Sequence, residues 1–357
     1  MRIIQIIDSL EAGGAERMAV NYANVLANEI EFSGLVATRK EGSLLHQISP
    51  DVSYLFLNKQ RQLDLSALFR LRSFVLKNKV THIHAHSTSF FLVFLLKLTC
   101  PSLKIIRHDH YGNNEFLETR PDFVLKITAP FFNGVIAVNQ KLKIWSEGIL
   151  KSKNVIYLSN FPTKNKGIEE KTVLKGSDGK RIVSLANLRK QKDHFLLLGI
   201  ARELKESHPE WTFHLVGKDF EDDYSKKIKD LILDYNLDNN VFLYGSKQDI
   251  STILSQSDIA ILTSQSEGLP VALLEYGWYK KAVVVTHVGE IPMIIQNGIN
   301  GYIVASNETI LFYKALVDLI ENETLRNDFG NALYTTIHEG YSASSVIKKY
   351  LNWLHNS

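Results

Sequence analysis

The sequence predicts an α/β protein built from two doubly wound domains in series. Its 357 residues are more than one hydrophobic core usually supports. Short apolar runs rich in β-branched residues alternate with longer amphipathic segments, as in parallel strands joined by crossover helices. Because the alternation lapses once and then restarts, we predict domains at 1–162 and 163–340, followed by a terminal helix in 341–357.

The first half contains six candidate strands and three candidate helices. The strands are predicted at Ile3 to Ile7, Ser33 to Thr38, His82 to His84, Lys104 to Arg107, Gly134 to Val138 and Asn154 to Tyr157. The helices are predicted at Glu16 to Ala27, Leu65 to Asn78 and Ser89 to Thr99. The weakly periodic segment from Ser159 to Gly179, with Pro162 and several lysines and glycines, is predicted to be a linker.

The second half repeats the same rhythm. Its strands are predicted at Arg181 to Ala186, Thr212 to Val216, Val241 to Tyr244, Ile259 to Thr263 and Ala282 to Thr286. Its helices are predicted at His194 to Ser207, Asp223 to Asn236, Asp249 to Ser255, Val271 to Tyr279, Ile291 to Gln296, Asn307 to Glu321 and Ser344 to Leu354. Ligands of such sheets bind beyond the carboxyl ends of the strands, so we look for chemistry in the strand-to-helix loops.

Composition limits the class of protein. The single cysteine, Cys100, excludes an intramolecular disulfide and fits a reducing compartment. The first apolar run meets Asp8 and Glu11 too soon for a signal peptide. The longest apolar run, Phe90 to Leu96, is far shorter than the roughly 20 residues that span a bilayer. We therefore expect a cytoplasmic protein without a transmembrane helix.

The net charge of +3 hides an uneven distribution. Residues 1–162 carry 19 Lys and Arg against 13 Asp and Glu, and the remainder carries 22 against 25. A basic first half suits an anionic membrane surface or a phosphorylated acceptor, although a solvated surface without a partner would have the same composition. The interleaved aromatic and basic pattern of nucleic-acid modules is missing, so no nucleic-acid partner is predicted.

The first candidate site follows the apolar strand that ends at Thr263. Glu267 and Glu275, with seven residues between them, place two carboxylates at different depths beside one ligand, where they accept hydrogen bonds from sugar or ribose hydroxyls. Gly268 allows close backbone approach, and Pro270 suits the first turn of a helix. The amides at that helix start suit a diphosphate.

Here the chain resembles the retaining glycosyltransferases of family 4, whose signature is a Glu, seven residues and a second Glu in a strand-loop-helix setting. The resemblance covers nearly the whole chain and is strongest from about Arg181 to Val304. It implies the GT-B fold, in which two Rossmann-like domains face each other across a cleft. The first domain would then bind the acceptor, the second would bind the nucleotide sugar, and the terminal helix would pack back on the first domain.

The resemblance also implies roles for the residues of this loop. Glu267 would contact the hydroxyls of the donor sugar, and Glu275 would contact the ribose. The implied donor-binding residues of the motif are Glu267, Gly268, Leu269, Pro270 and Glu275.

A second candidate site is the basic loop from Ala186 to His194. Its guanidinium and ammonium groups can neutralise a pyrophosphate and the charge that gathers on it as the sugar leaves. The family usually has an Arg five residues before a Lys in this loop. Lys192 matches the lysine, whereas Asn187 occupies the arginine position and Arg189 lies two residues further on. Lys192 and Arg189 are therefore predicted to be catalytic and donor-binding.

Three glycines and one lysine complete the predicted donor site. Gly13 and Gly14 lie between the first strand and the first helix, where they allow close approach to a phosphate or an acceptor, and they resemble the glycine loop of the family. The third glycine of the dinucleotide fingerprint is absent, which disfavours a nicotinamide-dependent dehydrogenase. Gly217 and Lys247 resemble the surroundings of the nucleotide base.

Histidines gather at two predicted strand ends, in His82 to His86 and in His108 to His110. His and Asp can bind zinc or manganese, but alternation along a strand points neighbouring side chains to opposite faces, so no metal site is predicted. The resemblance instead implies that His110 or His108 lies beside the transferred sugar and is catalytic.

The implied reaction transfers a hexose from a UDP-sugar with retention of configuration, without a cofactor or a tightly bound metal. A glycan or lipid-linked oligosaccharide acceptor, read by loops such as Gly112 to Asp122, would place the enzyme in surface polysaccharide biosynthesis at the inner face of the membrane. Two alternatives stay open: a sugar-nucleotide epimerase on the same fold, and a sugar-nucleotide-binding protein without catalysis.

Overall fold

In the computed structural model, which describes residues 1–112, 114–163 and 172–356, the chain divides into two compact units. The first consists of Met1–Thr163 together with Ala343–Ser357, and the second consists of Lys164–Ser342. Each unit has its own parallel sheet with its own buried apolar clusters on the two faces of that sheet. The two Rossmann-like domains predicted from the alternating pattern are therefore confirmed.

The first unit contains a seven-stranded sheet with the order β3-β2-β1-β4-β5-β6-β7. Its strands are β1 Arg2–Ser9, β2 Phe32–Lys40, β3 Ser53–Phe56, β4 His82–His86, β5 Lys104–Asp109, β6 Gly134–Ala137 and β7 Val155–Tyr157. The helices among them are α1 Gly14–Leu26, α2 Leu65–Lys77, α3 Phe90–Thr99, α4 Phe123–Thr128 and α5 Gln140–Gly148. Because the strand order reverses between β1 and β4, the loops that follow these two strands border the crevice where doubly wound sheets bind ligands.

Burial on both faces explains why the central strands read as continuous apolar runs. Ile3 and Ile4 of β1 point to opposite faces, and both are fully buried, one beneath α1 and the other in the cluster with α2 and α3.

The second unit contains a six-stranded parallel sheet with the order β10-β9-β8-β11-β12-β13. Its strands are β8 Arg181–Leu185, β9 Thr212–Val216, β10 Val241–Leu243, β11 Ile259–Leu262, β12 Ala282–Thr286 and β13 Tyr302–Val304. Its helices are α6 His194–Ser207, α7 Asp223–Asp234, α8 Ile250–Ser255, α9 Val271–Trp278, α10 Thr309–Glu321 and α11 Glu323–Gly340. Here the order reverses between β8 and β11, so the basic loop and the glutamate loop follow the two strands at the reversal point.

The terminal helix, α12 Ala343–His355, belongs to the first unit. Tyr350 is fully buried against Tyr22 of α1, with ring centroids 5.3 Å apart. Trp353 donates its indole N–H to the Asn154 side chain at 2.7 Å, which fixes the far end of the helix. Within the described ranges, no helix combines the length and the apolar character needed to cross a membrane.

The boundary between the two units follows Thr163, inside the segment predicted to be a linker, and the described residues of that segment form no helix or strand. Phe161 is fully buried against Tyr22, and Thr172 donates two hydrogen bonds to Asp249, of 2.6 and 2.9 Å. Phe161 and Thr172 are therefore anchored in their own units, whereas residues 175–179 at the end of the segment are exposed. Residues 164–171 of the predicted linker and Asn113 of the predicted acceptor loop lie outside the described residues.

Several elements differ from the prediction. The predicted helix from Ile291 to Gln296 is only a 3-10 turn, Ile291–Met293, and Pro270 lies just before α9 instead of inside its first turn. Among the described helices and strands, five were missed: β3, α4, α5, β13 and α11.

Candidate functional site

The centre of the second-unit site is an ion pair between the two loops at the reversal point. Lys192 Nζ lies 2.5 Å from Glu267 Oε1, and Ser264 Oγ donates to the same oxygen at 2.7 Å. The Glu267 side chain is 7% exposed and the Lys192 side chain 18%, so the pair is largely shielded from water. Shielding strengthens the attraction between these charges and any charge that a ligand brings.

Two polar contacts hold the basic loop against the glutamate loop. Gln265 donates its backbone N–H to the carbonyl of Gln191 at 2.9 Å and its side-chain amide to Asp193 at 2.9 Å. Asp193 adopts a left-handed conformation, with φ 49°, and its carboxylate also accepts from the backbone N–H of Leu196 as the cap of α6. Lys192 is therefore positioned by the turn that starts α6. Sequence analysis missed Asp193 and Gln265, although an Asp just before a helix is a recognisable cap signal.

Both glutamates of the motif are buried near the start of α9. Glu267 lies in the loop, and Glu275 lies one turn into the helix, 9% exposed. Pro270 precedes the helix without a side-chain cap among the described residues, whereas Asp or Asn side chains cap α5, α6 and α7. Leu273 donates its amide to the carbonyl of Pro270 at 3.1 Å, and no described side chain caps the first turn of α9. A helix start of this kind favours an anion.

Close backbone packing at two glycines shapes the site. A Cβ at Gly217 would lie 2.1 Å from the carbonyl oxygen of Ala186, and a Cβ at Gly289 would lie 2.2 Å from that of Glu267. Gly289 also has φ 57°, a conformation that favours glycine. The amide of Glu290 then donates to the carbonyl of Gly268 at 3.0 Å. Gly217 and Gly289 therefore allow neighbouring loops to approach closely, and the carbonyl of Gly268 accepts a hydrogen bond across one of these contacts.

Arg189 does not join the ion pair. It is exposed, and its guanidinium carbon lies 4.5 Å from the centroid of the Phe220 ring. Lys218 Nζ lies 5.2 Å from the same centroid, so two cations share one aromatic side chain in neighbouring loops. Asn187, which replaces the family's arginine, accepts from the backbone N–H of Lys218 at 2.7 Å. Lys218 and Phe220 were not predicted, because nothing in the sequence brings their loop to Arg189.

The remaining predicted residues of this unit lie further along the sheet or inside the motif. Lys247 follows β10 at the sheet edge, two strands from β8, and makes no ion pair with the described residues. Leu269 is buried in the apolar cluster beneath α9.

In the first unit, Gly13 is the residue before α1, and it too provides no side-chain cap within the described structure. A Cβ at Gly13 would meet the Glu16 carboxylate, whereas a Cβ at Gly14 would meet nothing within 4 Å. Space beside Gly14 is consistent with close approach of a ligand at this helix start.

Four histidines come together beside this loop, which sequence analysis did not foresee. His84 and His86 of β4 are two residues apart and so share a face, and β5 places His108 directly beside His86 in register. The predicted separation of the histidines was wrong because it considered adjacent residues only. Burial lowers the pKa of His84, His86 and His108 well below the ordinary range and that of His110 to about 4.

Nitrogens of His84, His86 and His108 lie within 4.8 Å of one another, close enough to consider a metal. Tetrahedral zinc, with bonds of about 2.0–2.1 Å, holds its ligand nitrogens about 3.4 Å apart. His84 Nε2 is instead hydrogen-bonded to His108 Nδ1 at 2.9 Å, and the rings of His84 and His86 stack almost parallel. The nitrogens that a metal would need are therefore engaged in a hydrogen bond between His84 and His108. We still predict that this cluster binds no metal.

A buried charge cluster lies on the opposite face of β5. The Asp109 carboxylate pairs with Arg107 at 2.9 Å and with both terminal nitrogens of Arg120 at 2.7 and 2.9 Å. These cations hold the pKa of Asp109 at about 2, against the effect of its burial. The cluster anchors Arg107 and Asp109, the residues on either side of His108.

Comparison with known proteins agrees with this architecture. The model of the family "Glycosyl transferases group 1" matches residues 165–336, and that of "Glycosyltransferase Family 4" matches residues 12–151. An uncharacterised glycosyltransferase of Haemophilus influenzae is 23% identical over 95% of both chains. A UDP-Gal:alpha-D-GlcNAc-diphosphoundecaprenol alpha-1,3-galactosyltransferase of Escherichia coli is 22% identical over 87% of this chain and 86% of its own.

A solved structure shows the same fold. HepE of Anabaena, in complex with UDP-glucose, superposes with a TM-score of 0.77 over 100% of both chains at 16% identity. With two parallel Rossmann-like sheets and both family models matched, this chain belongs to the GT-B glycosyltransferases of family 4.

Proposed function

We propose that this glycosyltransferase transfers a hexose from a UDP-sugar to a glycan or a lipid-linked oligosaccharide, with retention of anomeric configuration, in surface polysaccharide biosynthesis. The observation that carries the proposal is the shielded pair of Lys192 and Glu267 at the reversal point of the second sheet, beside the uncapped start of α9. A cation, a carboxylate and a helix start without a side-chain cap lie in one place, and this combination suits a ligand with both phosphates and hydroxyls.

The role proposed for each residue follows from its charge. Lys192, with the first amides of α9, stabilises the negative charge that develops on the diphosphate as the glycosidic bond breaks. Arg189 adds a second cation from the same basic loop. Glu267 accepts from hydroxyls of the sugar, and Glu275 accepts from hydroxyls of the ribose. The contacts with Lys192 and Ser264 hold the Glu267 carboxylate in one orientation.

His110 is the better candidate of the two histidines for contact with the transferred sugar. His108 is fully buried, whereas His110 is half-buried at the end of β5. A catalytic residue must reach the reacting sugar, so exposure supports His110.

The names of the relatives support the choice of donor and acceptor. The Escherichia coli relative is named for UDP-Gal and for an acceptor linked to diphosphoundecaprenol. A lipid diphosphate of this class would bring negative charge to a first unit whose residues 1–162 are net basic.

An exposed apolar surface on α3 and α4 supports contact of the first unit with a membrane. Phe123, Val124 and Ile127 of α4 are 75, 45 and 51% exposed, and Leu98 of α3 is 56% exposed. Phe131, which follows α4, packs on Phe94 of α3 with centroids 4.9 Å apart, so the two helices form one surface. We call these residues, Leu98, Phe123, Val124, Ile127 and Phe131, the α3–α4 surface. Large exposed apolar side chains of this kind favour the interfacial region of a bilayer.

Proton NMR of the protein incubated with UDP-glucose, UDP-galactose and their N-acetyl forms tests the proposal. Release of UDP reports hydrolysis or transfer of the donor sugar. The anomeric configuration of the sugar product, read before mutarotation, shows whether configuration is retained. Conversion of one UDP-sugar into its epimer would replace the proposal with the epimerase. Binding without any change of the donor, with or without added acceptor lipids, would leave a non-catalytic sugar-nucleotide-binding protein.

A further inference from the structure

Gln5, His86 and His110 form a chain of hydrogen bonds across three neighbouring strands. Gln5 Oε1 lies 2.9 Å from His86 Nε2, and His86 Nδ1 lies 2.9 Å from His110 Nε2. Gln5 and His86 are fully buried, and only His110, at the end of β5, is partly exposed. The chain therefore runs from the interior of the first unit to its surface.

The surroundings keep these imidazoles neutral. Around His86 lie the rings of Tyr22, His84 and His108, with centroids 6.2, 4.3 and 5.1 Å away, and no carboxylate bonds to it among the described side chains. Desolvation lowers the pKa of His86 well below its ordinary range. Each ring then carries one N–H, and the other ring nitrogen is an acceptor.

One N–H per ring gives the chain a direction. A carbonyl oxygen only accepts, so with the Gln5 oxygen facing it, His86 must donate from Nε2. Nδ1 of His86 is then bare and accepts from His110, which must donate from Nε2. His110 therefore donates its single ring N–H to His86, and its Nδ1 carries no proton.

We propose that Gln5, acting through His86, is a positioning residue that fixes the tautomer of His110 and leaves its Nδ1 as a hydrogen-bond acceptor. If His110 contacts the donor, this nitrogen accepts from a sugar hydroxyl and repels a carboxylate, which favours neutral hexoses over hexuronic acids. Only this consequence depends on the proposed function. The tautomer itself is a property of the first unit without ligand.

The second histidine pair provides an internal control. His84 Nε2 and His108 Nδ1 also lie 2.9 Å apart, but Gln5 makes no hydrogen bond to either ring. A substitution at Gln5 that changes only the direction of the His86–His110 hydrogen bond therefore leaves the tautomers of His84 and His108 unchanged. A general loosening of the core would disturb both pairs.

Nitrogen NMR of the full-length protein with ¹⁵N-labelled histidine, recorded at pH 7.5 without donor, tests the proposal. Two-bond correlations from the ring protons show which nitrogen carries hydrogen, and the His110→Gln variant identifies the His110 signals. We expect a proton on Nε2 and a bare Nδ1 in both His86 and His110. A proton on Nδ1 of His110 overturns the proposal.

The Gln5→Met variant, which removes the acceptor at similar volume, separates positioning from packing. We expect His110 to become a mixture of both tautomers while His84 and His108 keep their wild-type tautomers. A His110 tautomer unchanged in this variant would also overturn the proposal. If the variant does not fold, the wild-type spectrum still decides, because the direction is read there. A protein with the expected tautomers that turns over no UDP-sugar would overturn the proposed function alone.

Discussion

Lys192 Nζ and Glu267 Oε1 lie 2.5 Å apart although 75 positions separate the two residues in the chain. The contact exists because β8 and β11 are neighbours in the sheet, so that the loops after them meet at one edge. Each residue alone has an ordinary explanation as a surface charge. Together they form a shielded site where two loops of opposite charge meet.

The first prediction concerns the cation of this pair. Lys192→Met should lower turnover of a UDP-sugar by about 10²- to 10³-fold, as removal of one group that stabilises transition-state charge typically does. Lys190→Met is the matched control, since Lys190 is exposed in the same turn and should leave the rate within about twofold of wild type. Initial rates of UDP release measure both. Equal losses in the two variants would mean that the loop acts only through its total charge.

The second prediction concerns Gly217. In Gly217→Ala the new methyl carbon would lie 2.1 Å from the Ala186 carbonyl oxygen, so the loop after β8 must shift. We expect a loss of about 1–3 kcal/mol in the free energy of unfolding and weaker UDP binding. Gly148→Ala, at the end of α5 with open space around it, should be neutral or slightly stabilising. Urea denaturation compares them, and a Gly217→Ala protein as stable as wild type contradicts the close packing.

The third prediction concerns pH. The pKa of His110 and of His82 falls to about 4 in the folded chain, below the ordinary value near 6.5. Folding therefore favours their neutral forms, and this contribution is fully present above pH 6.5. As pH falls from 6.5 towards 4 the unfolded chain takes up protons first, so each such histidine costs about 1.4 kcal/mol of stability per pH unit.

Hydrogen exchange measured by peptide at pH 7.5, 6 and 5, corrected for intrinsic rates, checks this pH dependence. Protection of β4 and β5 should fall over this range. Protection of β12 should fall less if the two units open independently, because burial lowers the pKa of only two described histidines in the second unit, His194 and His214, both to about 4. Constant protection of β4 and β5 down to pH 5 would contradict the proposed burial of neutral histidines.

The fourth prediction concerns the α3–α4 surface. The double variant Phe123→Glu, Ile127→Glu should bind vesicles of phosphatidylglycerol and phosphatidylcholine at least tenfold more weakly than wild type, since two exposed apolar groups are replaced by charges that an anionic surface repels. Ile310→Glu, 70% exposed on α10 of the second unit, is the control and should bind like wild type. Co-sedimentation measures binding. Wild-type affinity in the double variant would exclude this surface as the contact.

Much of the fold could be predicted because buried parallel strands are short, apolar and rich in β-branched residues. The missed elements lack that signal. β3 and β13 have only four and three residues and are partly exposed, and α5 has a polar sequence. The start of α5 did carry a signal, since the Asn139 side chain accepts from the amide of Leu142.

The site was predictable as a set of residues but not as a set of contacts. Lys192 and Glu267 were singled out by their loops, yet their pairing depends on strand order, which no local pattern contains. The same holds for the four histidines, whose cluster requires β4 and β5 to be neighbours in one register. Arg189 was singled out by its charge in the same way, but its guanidinium lies over the ring of Phe220 in another loop and does not join the ion pair.

Calorimetric titration of the protein with UDP, ADP and GDP, in the wild type and in Glu275→Ala, tests the central claim most directly. We expect UDP to bind preferentially and its affinity to fall at least tenfold in Glu275→Ala, because the variant removes a buried acceptor of ribose hydroxyls. Urea denaturation of the variant confirms that it is folded. Equal affinity for all three nucleotides, or no binding of any at millimolar concentration, would contradict a UDP-sugar site in the second unit.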